Sequence, residues 1–353
     1  MKTEKYQIFD STEELNHAGT KATMDITQIC EQMHFKKLPV RKISNKYSLY
    51  DKIKRQAYYA IDWEKCYNTI EKNSIVLLQH PFHYKQLLRE KILLKLKNQK
   101  KVKFISLVHD VEELRKSRYD SYYEEEFNFM LRIADVLIVH NVQMKQFFLS
   151  KGVQEEKIVV LEIFDYLQCD EKIKKPKFDR SISIAGNLDV EKCQYLGELG
   201  KLNRVTINLY GPNFSESLKT NKNIIYHGSF PANEISAQLC QGFGLVWDGK
   251  SIDTCNGDYG EYLKYNNPHK LSLYLSSGIP VIIWAKAAEA PFVKQNNLGI
   301  CVDSLQQLEK VLCDLSEDRY LEFSKSVFQI RSRLIKGVYT KKAISTALDI
   351  INY

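Results

Sequence analysis

The chain lacks any long hydrophobic run: its apolar stretches hold about five to seven residues, against the ~20 a bilayer-spanning helix needs. Its charged start, MKTEKYQIFDSTEEL, has no apolar segment of the kind a secretory signal carries, so a cytoplasmic location is expected. The cysteines at 30, 66, 169, 193, 240, 255, 301 and 313 form no C-x-x-C and no Cys/His group at zinc spacing. That pattern points to reduced thiols that fill cores. No D-x-D triplet occurs, so the carboxylate pair that holds a divalent metal on a nucleotide-sugar diphosphate is missing. The G-x-S-x-G, G-x-G-x-x-G and G-x-x-x-x-G-K-[ST] patterns are absent too, which removes support for hydrolase, dehydrogenase and P-loop NTPase readings.

What is present suits an α/β enzyme. A length of 353 residues with 44% hydrophobic content fits two domains of roughly 150 residues each, both with real cores. The net charge of +8 raises nucleic acid as a partner. No zinc-finger, RNA-recognition or helix-turn-helix signature accompanies it, and the 21 tyrosines and 16 phenylalanines do not cluster among basic residues, so nucleic acid is not expected. The densest basic run, residues 89–103 (REKILLKLKNQKKVK), has three open readings: a solvated helix face, a contact for anionic lipid headgroups, or a partner surface.

Strand-like and helix-like segments alternate. The pattern predicts a turn at 16–22 followed by a helix at 24–35. Strands follow at 74–79, 102–108, 136–140 and 157–163, with helices at 83–97, 122–133 and 142–150. The polar, lysine-rich residues 170–180 read as a linker. Strands resume at 181–185, 206–210 and 224–227, with helices at 194–199 and 234–241, and the segment from 305 to 351 is helical with a break near Gly337. Alternation over this length indicates doubly wound parallel sheets. The expected architecture is two Rossmann-like domains, 1–170 and 180–334, facing a central cleft, with a C-terminal helix (335–353) packing back on the first.

Residues 242–301 are the most informative. GFGLVW is a strand, Asn267 can cap a helix whose first residue is Pro268, Gly278 ends that helix, and VIIW resumes the sheet. This βαβ unit places Lys270 in the first turn of a helix at the carboxyl ends of strands, where free N–H groups, the helix dipole and a mobile cation suit a diphosphate. An ordinary helix connection with a solvated lysine is the plainer reading. In such folds ligands lie beyond strand ends. That rule singles out Gly186 and Asn187, Tyr210 and Gly211, Gly228 and Ser229, and 266–270, with Lys192 as a second cation. In the first half, Gly19, Thr20 and Lys21 face the cleft, and His80, His109 and Asp110 end strands where a base or acceptor-binding group can sit. Turn residues and satisfied histidines explain the same positions.

The segments NHAGTKA (16–22), VHDVEELR (108–115), AGNL (185–188), YHGSF (226–230), GFGLVW (242–247) and NNPHKLSLYLSSGIPVIIW (266–284) carry a resemblance over essentially the whole chain. The chain resembles the GT-B glycosyltransferases. It is similar to the bacterial glucosyltransferases that extend O-linked N-acetylglucosamine on serine-rich repeat adhesins, and to β-1,6-galactofuranosyltransferase-like sugar transferases. The resemblance implies hexose transfer, with retention or inversion, from a UDP-sugar without metal, UDP-glucose being the expected donor. It implies a nucleotide held by Asn187, Lys192, Tyr210, Ser229, Asn266, Asn267, His269 and Lys270. Thr20 reaches across the cleft, and Gly19, Lys21 and His80 stand on the acceptor side. A GlcNAc-bearing serine-rich glycoprotein acceptor and a homotetramer are implied as well. A lipid-linked or polysaccharide acceptor at a membrane surface, and a non-catalytic GT-B partner subunit, are the alternatives.

Overall fold

The computed structural model describes residues 3–11, 18–41, 48–168, 176–191 and 193–352. Two six-stranded sheets, parallel throughout, form its layers. The first contains β1 (Lys5–Ser11), β2 (Lys36–Arg41), β3 (Ile75–His80), β4 (Lys103–Val108), β5 (Val136–Val139) and β6 (Ile158–Val160) in the order β2-β1-β3-β4-β5-β6. The second contains β7 (Lys177–Ala185), β8 (Thr206–Tyr210), β9 (Ile224–Tyr226), β10 (Gln241–Val246), β11 (Val281–Trp284) and β12 (Gly299–Val302) in the order β12-β11-β10-β7-β8-β9. Strand order reverses between β1 and β3 and between β7 and β10, which marks each sheet's carboxyl edge there as a ligand crevice. The central strands are buried over most of their length because helices cover both faces.

Helices α1 (Ala18–Gln32), α2 (Leu49–Thr69), α3 (Arg89–Lys100), α4 (Glu112–Arg115), α5 (Ser121–Ile133) and α6 (Val142–Ser150) belong to the first half. The second half has α7 (Tyr195–Leu199), α8 (Gly257–Tyr262), α9 (His269–Ser276), α10 (Ala290–Gln295), α11 (Leu308–Asp314) and α12 (Glu317–Leu334). Residues Tyr320, Phe323, Val327 and Leu334 root α12 in the second core. The last helix, α13 (Val338–Asn352), lies on the first sheet, where Ala343, Ile344 and Ala347 pack against Ile26, Cys30, Leu77 and Ile105. The chain therefore crosses twice between layers, and the crossings are bonded together. Buried Asp165 accepts hydrogen bonds from the backbone N–H groups of Tyr339 (3.3 Å) and Thr340 (2.6 Å) at the start of α13.

Four expected boundaries shift. Helix α1 begins at Ala18, so the Gly19–Lys21 stretch is its first turn and not a loop. Helix α3 begins at Arg89 and not near 83, because side chains satisfy the backbone before it: Glu126 accepts from Phe82 N–H and Gln56 from Leu87 N–H. The helix expected at 234–241 is one 3₁₀ turn, Ile235–Ala237, cut short because β10 starts at Gln241. Strand β7 reaches back to Lys177, inside the expected linker.

Candidate active site

The two halves meet where residues past β4 and β5 of the first sheet contact α8 and the segment before α9: Val111 N–H donates to the Tyr262 hydroxyl, and His140 and Asn141 bond to Asn267. On the second sheet, Gly186 (φ 139°) and Gly211 (φ 146°) end adjacent strands so closely that a Cβ on Gly211 would lie 1.8 Å from the Gly186 carbonyl oxygen. Only glycine fits this edge. Beside them Asn187 is exposed, with its Oδ1 accepting from Asp189 N–H (3.1 Å) and Asn213 Nδ2 (3.0 Å). Ser229 is exposed. Tyr210 is buried and stacks on His227 at 4.6 Å, so its ring is a wall of this edge. Lys192 lies outside the described residues, as does the side chain of Thr20, while Gly19 stands in the first turn of α1.

Helix α9 starts where β10 and β11 end. Its N-cap residue is Pro268 with no side-chain cap, so the helix begins at His269, one residue later than expected. Asn267 is not the cap. Its Nδ2 donates to the carbonyls of His140 (2.9 Å) and Glu162 (3.0 Å), and its Oδ1 accepts from Asn141 Nδ2 (2.7 Å). Its backbone N–H donates to His140 Nδ1 (3.0 Å). The first half thus captures the carboxamide expected at the helix start, which makes Asn267 a clasp between the sheets and not an open donor ligand.

Lys270 occupies the first turn of α9, mostly buried, where its Nζ donates to the Trp247 carbonyl (3.0 Å) and to Asp248 Oδ1 (2.7 Å). Burial alone would lower its pKa; Asp248 outweighs that and holds the ammonium charged. The cation is fixed by Asp248 and not mobile. Next to it, His269 Nε2 and Asn266 Oδ1 are buried without a hydrogen-bond partner among the described residues. Burial, and secondarily Lys21, depress the His269 imidazole to about 3, so it is neutral. Buried polar atoms without a partner at a helix start are what an anionic, hydroxyl-rich ligand would satisfy.

The first half supplies the opposite wall. Lys21 is ion-paired with Asp25, donates to the Leu167 carbonyl (2.8 Å) and sits 4.6 Å from the centre of the Tyr166 ring. That ring also contacts His269 at 5.1 Å, so Lys21 and His269 approach each other around Tyr166. Phe164 collects imidazoles from both halves: His109 stacks flat at 5.5 Å, His140 meets it edge-on at 4.9 Å, and His269 lies at 6.1 Å.

The candidate bases differ. His109 shares a 2.7 Å hydrogen bond with Gln79 Oε1, and burial pulls its pKa to about 3, which leaves a weak base at neutral pH. Burial pushes the Asp110 carboxyl up to about 6 although Arg115 lies 2.8 Å away. Val111 N–H beside it donates to the Tyr262 hydroxyl from the second half (2.9 Å). His80 is withdrawn from the acceptor wall. It is 2% exposed, and its Nδ1 lies 2.9 Å from Glu126, which also binds Arg89 Nη2 at 2.6 Å. Sequence reasoning missed Asp248, Tyr166, Phe164, Asn141 and Tyr262. The Lys21/Asp25 spacing of four and the position of Asp248 just past β10 were the available signals.

Residues 5–163 match the family described as "Glucosyltransferase 3-like, N-terminal domain", and residues 182–347 match "Glucosyltransferase 3-like, C-terminal domain". The chain belongs to the Glucosyltransferase 3-like family. Within the curated relatives of this Glucosyltransferase 3-like chain, β-1,6-galactofuranosyltransferase WbbI of Escherichia coli K12 is 34% identical over 253 residues, covering 70% of this chain and 72% of WbbI. Glucosyltransferase 3 of Streptococcus gordonii is 26% identical over 329 residues, 93% of both chains. Among solved structures, HepE of Anabaena in complex with UDP and glucose has a TM-score of 0.59 at 12% identity, covering 99% of this chain and 98% of HepE. The lipopolysaccharide outer core galactosyltransferase WaaB has a TM-score of 0.61 at 13% identity, covering 98% and 99%. At such identities the likeness speaks for the GT-B fold. Family membership makes the chain a glycosyltransferase of the hexosyl-transferring class. No helix among the described residues is long and apolar enough to cross a membrane.

Proposed function

We propose that this Glucosyltransferase 3-like enzyme transfers a hexose from a UDP-sugar, with the diphosphate at the start of α9. One observation carries the reading: the first turn of α9 and the segment just before it hold Lys270, its ammonium fixed on Asp248, together with His269 Nε2 and Asn266 Oδ1, buried without a partner among the described residues. Lys270, the helix N–H groups and the dipole oppose the charge that grows on the departing diphosphate, the task a metal performs elsewhere. The transfer is metal-independent on this reading. Residues 180–334 form the donor domain, with Asn187, Tyr210 and Ser229 along its edge and Lys192 and Thr20 as further contacts. Residues 1–170 form the acceptor domain, with Lys21 on the wall and Asp110 as the proton-exchanging group. The donor is UDP-glucose, the acceptor is an O-linked GlcNAc of a serine-rich glycoprotein, and the assembly is a homotetramer. The 34% identity with a galactofuranosyltransferase favours a second acceptor reading, a polysaccharide or lipid-linked intermediate.

The test is UDP release and product mass from a panel of UDP-hexoses, with a GlcNAc-bearing peptide and a polysaccharide fragment as acceptors. Acceptor-dependent release that survives EDTA and falls about 10²-fold in Lys270→Ala is expected. Neither transfer nor donor hydrolysis with any donor would favour a non-catalytic partner subunit.

A further inference from the structure

Gln79, one residue before the end of β3, joins α1 to the end of β4. Its Nε2 donates to the Thr23 carbonyl (3.3 Å) and to Thr27 Oγ1 (3.2 Å), both on α1, while its Oε1 lies 2.7 Å from His109 Nε2. The amide has no choice of orientation. A backbone carbonyl only accepts, so the group against Thr23 is the NH2. Thr27 agrees, because its hydroxyl already donates to the same carbonyl (2.8 Å) and is left to accept. The Gln79 oxygen therefore faces His109, and an amide oxygen only accepts. The ring nitrogen against it must carry a proton.

The other nitrogen follows from this one. Burial holds the His109 imidazole at about 3, so at neutral pH the ring has a single proton, and that proton is on Nε2. Nδ1 then carries a bare lone pair, and it has no hydrogen-bond partner among the described residues. Phe164 stacks on the half-buried ring with the two planes 4° apart, which fixes its tilt. Such a nitrogen accepts from a hydroxyl or an N–H and repels an anion. The start of α9 has the opposite sense, since the Lys270 ammonium and the helix N–H groups are donors. Phe164 touches His269 of that start as well, so walls of both senses meet around one aromatic ring.

We propose that Gln79 is a positioning residue that locks His109 in the Nε2–H tautomer and thereby keeps Nδ1 as an acceptor for a sugar hydroxyl. His109 then orients a hydroxyl and takes no proton from it. The lock is set from α1, the helix whose first turn carries Lys21, so the hydrogen-bond sense of the sugar wall depends on how α1 is seated. The tautomer stands on the geometry alone; the sugar contact rests on the transferase reading above.

Nitrogen-15 NMR of histidine-labelled protein reads the tautomer without donor or acceptor, the His109 signal being the one missing from His109→Asn. Wild-type protein is expected to show a protonated Nε2 and a bare Nδ1 at His109, unchanged between about pH 6 and 8. Gln79→Leu removes the acceptor and strands the Nε2 proton, so the tautomer ratio should move about tenfold toward Nδ1–H. With a UDP-hexose and an acceptor, the same variant should lose about tenfold in kcat/KM while UDP affinity stays within about twofold, because a hydroxyl contact is lost and the diphosphate site is not. A purely structural role for Gln79 would lower UDP affinity and melting temperature along with transfer and leave the tautomer alone. A proton on Nδ1 of wild-type His109 would overturn the proposal whether or not the variant folds. So would a shifted tautomer with unchanged kcat/KM. The expected tautomer in a protein that transfers no hexose from any donor would count against the transferase reading alone.

Discussion

Replacing Asn267 by alanine separates a clasp from a ligand site. The substitution deletes three hydrogen bonds between the halves: two donated to the carbonyls of His140 and Glu162, and one accepted from Asn141. Two of the abandoned groups have a second partner. Glu162 N–H still reaches the His140 carbonyl (3.1 Å), and Asn141 Nδ2 still reaches the Tyr265 carbonyl (2.9 Å). The third group, the Glu162 carbonyl, belongs to a residue that is only partly buried, so each lost bond is worth about 1 kcal/mol, which gives a loss of about 3 kcal/mol. Asn141→Ala forfeits the shared bond and also the cap on Met144 N–H. The double-mutant cycle should then give a coupling of about 1 kcal/mol for the Asn141–Asn267 contact. Urea midpoints with slopes, together with UDP affinity measured on each variant, supply the readout. The reasoning is refuted if Asn267→Ala leaves stability within about 0.5 kcal/mol of wild type while UDP affinity falls more than tenfold. Asn267 would then be a nucleotide ligand.

Two further outcomes concern buried charge. Arg89→Ala leaves the Glu126 carboxylate, 2% exposed, with only His80 and the Phe82 N–H, and should cost about 3–5 kcal/mol in urea unfolding; a loss below about 1 kcal/mol would mean that water reaches Glu126. Burial raises Asp165 to about 7, so the folded protein resists its ionisation. This group's contribution is most favourable at low pH and is lost as pH rises from the unfolded carboxyl value, about 4, to about 7. Asp165→Asn loses a cap hydrogen bond at every pH but escapes the ionisation cost, and its stability relative to wild type should climb by on the order of 4 kcal/mol between pH 4 and 8. A flat difference across that range would contradict the raised pKa.

The parallel sheets were legible wherever burial on both faces forces an uninterrupted apolar run, as in IVLL (75–78) and VIIW (281–284). The end of α9 was legible as well, because Gly278 takes the left-handed conformation (φ 87°) that its place past the helix predicts. Strand β2, KKLPVR, gives no such run, since as an edge strand it buries only Leu38 and Val40. Helix α2 hides its period because its outward face is apolar too. The start of α9 was misread by one residue for a tertiary reason: local rules give Asn267 to the helix, but Asn141 and His140, more than a hundred residues earlier, compete for the same carboxamide. His80 shows the same limit, since the sequence places it at a strand end but not against Glu126 and Arg89. The Lys270–Asp248 pair was half visible; the lysine was evident from the helix start, whereas its carboxylate needed the fold to bring β10 alongside.

The central claim is that Lys270 receives a diphosphate at the start of α9, and thermal stabilisation by UDP tests it most directly. At a ligand concentration 100 times Kd, UDP should stabilise wild-type protein by about 2.7 kcal/mol. Lys270→Ala should lose nearly all of this, because Asp248 is then left uncompensated beside the phosphates. Uridine, which lacks phosphate, should affect both proteins alike. An equal rise in melting temperature with UDP for wild type and Lys270→Ala would contradict the account.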